Sequence, residues 1–156
     1  MDAAVATKAA SSHTHIESDV TSLVSDLALK APLAAPQFTG VANFGGAVTR
    51  TVITLTDATT IAVNAALGNF FRVTLGGNRI MGLPTNPTDG QPILFAIKQD
   101  GTGSRTVDWV TSGGYAFGTD VVSPILSTGI SKVDYVGFIY SGTGSKWQCI
   151  AVARGY

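Results

Sequence analysis

Two groups of side chains in this sequence have the types and spacing to do chemistry. They are a His-x-His pair, His13 and His15, and six aspartates after residue 40: Asp57, Asp89, Asp100, Asp108, Asp120 and Asp134. Glycan hydrolysis would need two carboxylates roughly 5 to 10 Å apart across a sugar-sized groove. Asp57, Asp89 and Asp100 stand in turn-like contexts, and Asp89-Gly90 and Asp100-Gly101 are explained by turn chemistry alone. Asp108 and Asp134 fall inside strand-like runs and suit pairing with Arg or Lys across a subunit boundary. Nucleophilic hydrolysis would need a histidine near a serine or Cys149, and both histidines lie far upstream. The stretch Asp100-Gly101-Thr102-Gly103-Ser104 lacks the Lys-Ser/Thr of a phosphate loop and reads as a hairpin turn. Cys149 alternates with Trp147 and Ala151 in an apolar run, as a buried thiol does. The expectation is a protein without catalytic residues.

Binding is the alternative chemistry. Trp109, Tyr115, Phe117, Tyr135, Tyr140 and Trp147 offer faces on which sugar rings stack, and the two tryptophans lie in apolar strand-like runs that suit a core. Tyr115 follows Gly113-Gly114 in a loop-like stretch. With Asn86, Asp89 and Asp120 it forms the candidate glycan-contacting set.

Composition narrows the class. The chain has 156 residues, ten basic and ten acidic side chains, 13% charged residues and 45% apolar ones. A nucleic-acid binder would carry a basic stripe, and this balance argues against one. So few charges on a chain of mean hydropathy +0.29 favour a surface partly covered by copies of itself. No window approaches the ~18 apolar residues of a membrane span. The N-terminus has no signal-peptide pattern, so synthesis in the cytoplasm without export is expected.

The elements that must position these residues differ on either side of residue 40. Ile16, Val20, Leu23 and Leu27 recur at intervals of four, three and four, a short heptad seam. Thr14 and Glu17 form a capping box at its start, and Pro32 ends it. A helix over 15–30 follows, too short to be stable alone in water. If Ile16 and Leu23 are d positions and Val20 and Leu27 a positions, oligomer order stays open between two and three. Pro32 and Pro36 make 31–40 an extended, stiff connector. From residue 41 to 156 the chain reads as strands over 48–56, 59–65, 70–75, 93–99, 105–110, 133–140 and 146–153, separated by Gly-, Asn- and Pro-rich turns. The fold class expected is mainly β: a β-sandwich or jelly-roll-like domain behind an N-terminal helix. Trp147, Cys149 and Ala151 should share one face of the last strand, with Gln148, Ile150 and Val152 on the other.

The order Ser12-His13-Thr14-His15, the heptad helix and Lys30-Ala31-Pro32-Leu33-Ala34-Ala35-Pro36-Gln37-Phe38-Thr39-Gly40 resembles that of bacteriophage fibre and minor tail proteins. Gly76-Gly77-Asn78-Arg79, 84–90 and the closing Ala151-Val152-Ala153-Arg154-Gly155-Tyr156 are similar to terminal domains encoded by phages or prophages of Gram-positive hosts. The resemblance implies a homotrimer, a coiled coil at 15–30, and a place on the virion, with 1–14 as the segment that docks another virion protein. It also implies a role in adhesion to host cell-wall glycan. In a trimer, His13 and His15 of three chains would face the axis and match the six-ligand preference of a transition metal such as iron. Elemental analysis of protein purified without a histidine tag tests that. Three rivals remain at this point. A capsid-attached head fibre or decoration protein shares the architecture, a stand-alone lectin would survive deletion of 1–40, and a depolymerase would release reducing ends from host polysaccharide.

Overall fold

In the stretch Phe70 to Leu75, Phe71, Val73 and Leu75 are buried while Arg72 and Thr74 stand in solvent, the two-residue period of a strand covered on one face. The same physics recurs along the chain. The computed structural model describes residues 41–110 and 113–156; the helix expected over 15–30 and the connector over 31–40 lie outside them. The chain falls into two units, Met1–Ala47 and Val48–Tyr156. The second carries strands β1 (Val52–Thr54), β2 (Thr60–Ile61), β3 (Phe70–Leu75), β4 (Arg79–Met81), β5 (Pro92–Gln99), β6 (Val107–Trp109), β7 (Tyr115–Ala116), β8 (Val133–Ser141) and β9 (Lys146–Ala153). Among the described residues a 3-10 turn covers Ala65–Leu67. The unit is mainly β, as expected.

The strands form a six-stranded sheet ordered β1-β3-β5-β8-β9-β7 and a three-stranded sheet ordered β2-β4-β6. Through β6 the chain alternates between them. β1, β3 and β5 lie parallel in the large sheet, and β2, β4 and β6 parallel in the small one. Each passage through both sheets is therefore one rung, stacked on the previous rung, as in a short β-solenoid. Asn64 and Thr85 bridge successive rungs on a third side. The antiparallel hairpin β8–β9 then extends the large sheet from β5, and β7 pairs parallel with β9.

This connectivity corrects two expectations. Asp100–Ser104 does not close a hairpin: like the turn at Gly76-Gly77-Asn78, it carries the chain across from the large sheet to the small one, since β5 pairs with β3 and β8 rather than β6. Jelly-roll strands are antiparallel, whereas the rungs here are parallel. The two sheets nevertheless enclose one core, as the layers of a sandwich do. Ile61, Met81 and Trp109 of the small sheet share it with Phe71, Phe95 and Phe138 of the large one.

Stacking in register builds that core. Ile53, Phe71 and Phe95 are successive partners across β1, β3 and β5, with the two phenyl rings 5.8 Å apart. Ile61, Met81 and Trp109 form the matching row on β2, β4 and β6. Trp109 closes the space between the sheets, its ring 6.0 Å from Phe95 and 5.2 Å from Phe138. Each such ring contributes on the order of 2–3 kcal/mol through burial. The face alternation expected in the last strand holds for Trp147 and Cys149 but not beyond. A bulge pairs Phe138 with Cys149 and Gly137 with Ala151, which leaves Ile150 and Ala151 exposed and turns Val152 inward.

Candidate functional site

Polar side chains fix the corners where the rungs turn, Asp57 and Asp100 among them. Asp57, between β1 and β2, accepts two hydrogen bonds from Arg79 on the next rung and one from the Gly76 amide. Asp100 accepts from the Thr102 and Gly103 amides through Oδ1 and from Arg105 through Oδ2. Its hydrogen bond with Arg105 is the main cause that lowers its pKa to about 2. The buried Gln99 takes the place of a backbone pair, donating to the Arg105 carbonyl and accepting from the Arg105 amide. Asp134, fully buried, accepts from the Ser127 amide, the Ser127 hydroxyl and the Gly155 amide. It therefore ties the C-terminal segment within its own chain, where the sequence suggested a partner across a subunit boundary. Asp108 stands exposed on β6 and makes no ion pair among the described residues.

The residues expected to contact glycan do not converge. Tyr115 is 2% exposed, its hydroxyl donates to the Gly82 carbonyl at 3.0 Å, and its ring packs on Trp109 and Phe138. It is a core residue, and burial pushes its phenol pKa far up. Asn86 donates to the Asn64 side chain on the preceding rung, and Asp89 accepts from the Gly142 amide in the β8–β9 turn. Asp120 lines a separate groove with Ile125, Val152 and Arg154. Cys149 is buried, as expected, and burial raises its thiol pKa. His13, His15 and the seam Ile16, Val20, Leu23 and Leu27 lie outside the described residues.

What the sequence did not single out is the outer face of the large sheet. There Thr54, Arg72, Ala96 and Tyr135 are partners in one row across β1, β3, β5 and β8, and Thr74, Lys98 and Val133 form the next row. A groove of about 390 Å³ runs over them, bounded by Phe70 and Val52. The small Ala96 makes its floor, while Arg72 and Lys98 rise on adjacent strands. Arg72 is oriented by Nε donating to Thr54 Oγ1 at 2.9 Å. Among the described residues no carboxylate belongs to the lining, and neither cation makes an ion pair. The signal was present in the sequence as two exposed cations within alternating strands, but only the parallel register brings them together.

A second groove, of about 560 Å³, opens beside the first rung between Ile53, Leu55, Leu67 and Leu83. Comparison with known protein families finds no family model that matches the chain, and no curated protein matches it significantly.

Proposed function

We propose that this chain is a subunit of a non-enzymatic phage virion appendage, a tail-fibre-like homotrimer that adheres to the host cell surface. In this reading Ile16, Val20, Leu23 and Leu27 join the three chains, 1–14 docks another virion protein, and the β unit is distal. The observation that carries the reading is the placement of exposed apolar side chains. Ile150, 57% exposed, stands on the outer face of the large sheet, while Ile80, 36% exposed, stands on the outer face of the small one. A ring of copies needs two different patches per subunit, because each copy presents one patch to each neighbour. A surface with few charges and apolar residues on more than one face is suited to that. The resemblance of residues 12–40 to phage fibre proteins supports the same assembly.

Two measurements test the proposal. Sedimentation equilibrium of the full chain should give the mass of three subunits, and a mass of one subunit overturns the reading. Immunogold labelling of intact particles should mark the tail. Labelling of the capsid would make the protein a head fibre or decoration protein, and unlabelled particles would remove it from the virion.

A further inference from the structure

We propose that the groove on the outer face of the large sheet binds a glycan strand carrying anionic substituents, with Arg72 and Lys98 as its charge contacts. The inference rests on the adhesion reading above and gives it a ligand class and a place.

The register places the cations diagonally on adjacent parallel strands, Arg72 paired with Ala96 and Lys98 with Thr74. Diagonal neighbours on one sheet face are about 7 Å apart at the backbone, within reach of one another for long side chains. Two like charges at that spacing repel, and among the described residues no acid in the groove relieves them. An anionic group seated between them removes the repulsion and gains a charge-assisted hydrogen bond from each. Arg72 is prepared for this. Its Nε is engaged by Thr54, and its terminal nitrogens carry no hydrogen bond among the described residues. That leaves the planar end of the guanidinium for a carboxylate or phosphate.

The rest of the lining suits a sugar. Ala96 leaves a hollow where every neighbour in the row has a longer side chain, and the Thr54 and Thr74 hydroxyls offer hydrogen bonds to ring hydroxyls. Tyr135, held edge to face by Tyr156 at 5.5 Å, and Phe70 form apolar walls. The volume lies within the usual range of ligand sites. A second copy of the chain is the less favoured occupant. Burying two unpaired cations in a dry protein interface is costly, and charges are depleted from interface cores. A hydrated glycan anion avoids that cost.

The test is affinity electrophoresis of the full chain in native gels containing polygalacturonate, phosphomannan or neutral dextran. The wild type should be retarded by at least one of the two anionic polymers and not by dextran, and the retardation should fall with added salt. R72Q/K98Q should weaken the interaction about tenfold, a loss of about 1.4 kcal/mol. K146Q/R154Q, which removes the same charge outside the groove, should bind like the wild type. A wild type that neither anionic polymer retards overturns the proposal, and so does an equal loss in the control variant. If R72Q/K98Q instead lowers the sedimentation mass of a protein that binds no polymer, the groove is a subunit contact and the proposal fails. The two readings separate cleanly: a trimer that binds nothing overturns the groove alone, and a single subunit that binds polyanion overturns the trimer alone.

Discussion

Arg79 grips Asp57 at two points, Nε to Oδ1 and Nη2 to Oδ2, both at 2.7 Å, and so joins the corner of one rung to the corner of the next. The hydrogen bond from Arg79 is the largest cause lowering the Asp57 pKa; partial burial opposes it, and the Gly76 amide and the charge on Arg79 add to it. A carboxylate with a depressed folded pKa contributes stability above its unfolded pKa of about 4 and loses it as pH falls through the folded value. Asp57→Asn should therefore lower the Tm at pH 7 by about 3 °C. The gap to wild type should close as pH is lowered from about 5 toward 2. Circular dichroism melts across that range check it, and a gap independent of pH would show that the ion pair is not the cause.

Asp100 sits at the equivalent corner of the last rung and titrates at about 2. An NMR titration of its carboxyl carbon should show it still ionised at a pH where ordinary aspartates are protonated. In Arg105→Gln the midpoint should move up toward the ordinary value, since the hydrogen bond with Arg105 is the leading cause of the shift.

Tyr115→Phe removes only the hydroxyl that donates to Gly82 at 3.0 Å. The carbonyl it leaves is half-buried, so a cost of about 1 kcal/mol is expected in urea unfolding, with an unchanged m value. Glycan binding should be unaffected, because this tyrosine is in the core.

Gly82 and Gly101 give a paired experiment. A Cβ at Gly82 would stand 2.8 Å from the Ile61 carbonyl on the adjacent rung, whereas a Cβ at Gly101 meets nothing within 4 Å. Gly82→Ala should cost about 2–3 kcal/mol by forcing two rungs apart. Gly101→Ala should stay within about 0.5 kcal/mol of wild type.

Asp134→Ala would orphan three donors in a buried site, the Ser127 amide and hydroxyl and the Gly155 amide. A loss of about 3 kcal/mol or more is expected. The C-terminal residues beyond β9 should become the first point of proteolysis, which limited trypsin treatment and mass spectrometry would detect.

Much of this fold can be read from local pattern. β3, β5, β8 and β9 announce themselves through β-branched and aromatic runs bounded by turns, and their observed limits lie within a residue or so of those expected. β4 was hidden because only Arg79, Ile80 and Met81 separate a Gly-Gly-Asn corner from Gly82 and Pro84, too few residues to display a period. Partner choice was hidden for a different reason. A glycine-rich corner between sheets and a hairpin turn draw on the same residues, so nothing local distinguishes Asp100–Ser104 as one or the other. Tyr115 was misplaced because the approach of the chain to Leu83 at Gly114 folds it inward. A Cβ at that glycine would fall 1.6 Å from Leu83 Cδ2. The groove was illegible for the same reason as the rungs, since Arg72 and Lys98 become neighbours only through the pairing of β3 with β5.

The position of β5 has a consequence for how the molecule is made. It pairs with β3, which precedes it, and with β8, which begins only at Val133. While the chain is being synthesised, the stacked rungs therefore emerge with one edge of β5 bare, and an open strand edge is a template for another chain. Ribosome-bound chains stalled before Val133 should be readily digested by protease, and those stalled after β9 has emerged should resist it. Neighbouring ribosomes on one messenger hold several such edges close together. The last two long strands thus decide whether each nascent chain completes its own sheet or lends an edge to its neighbour.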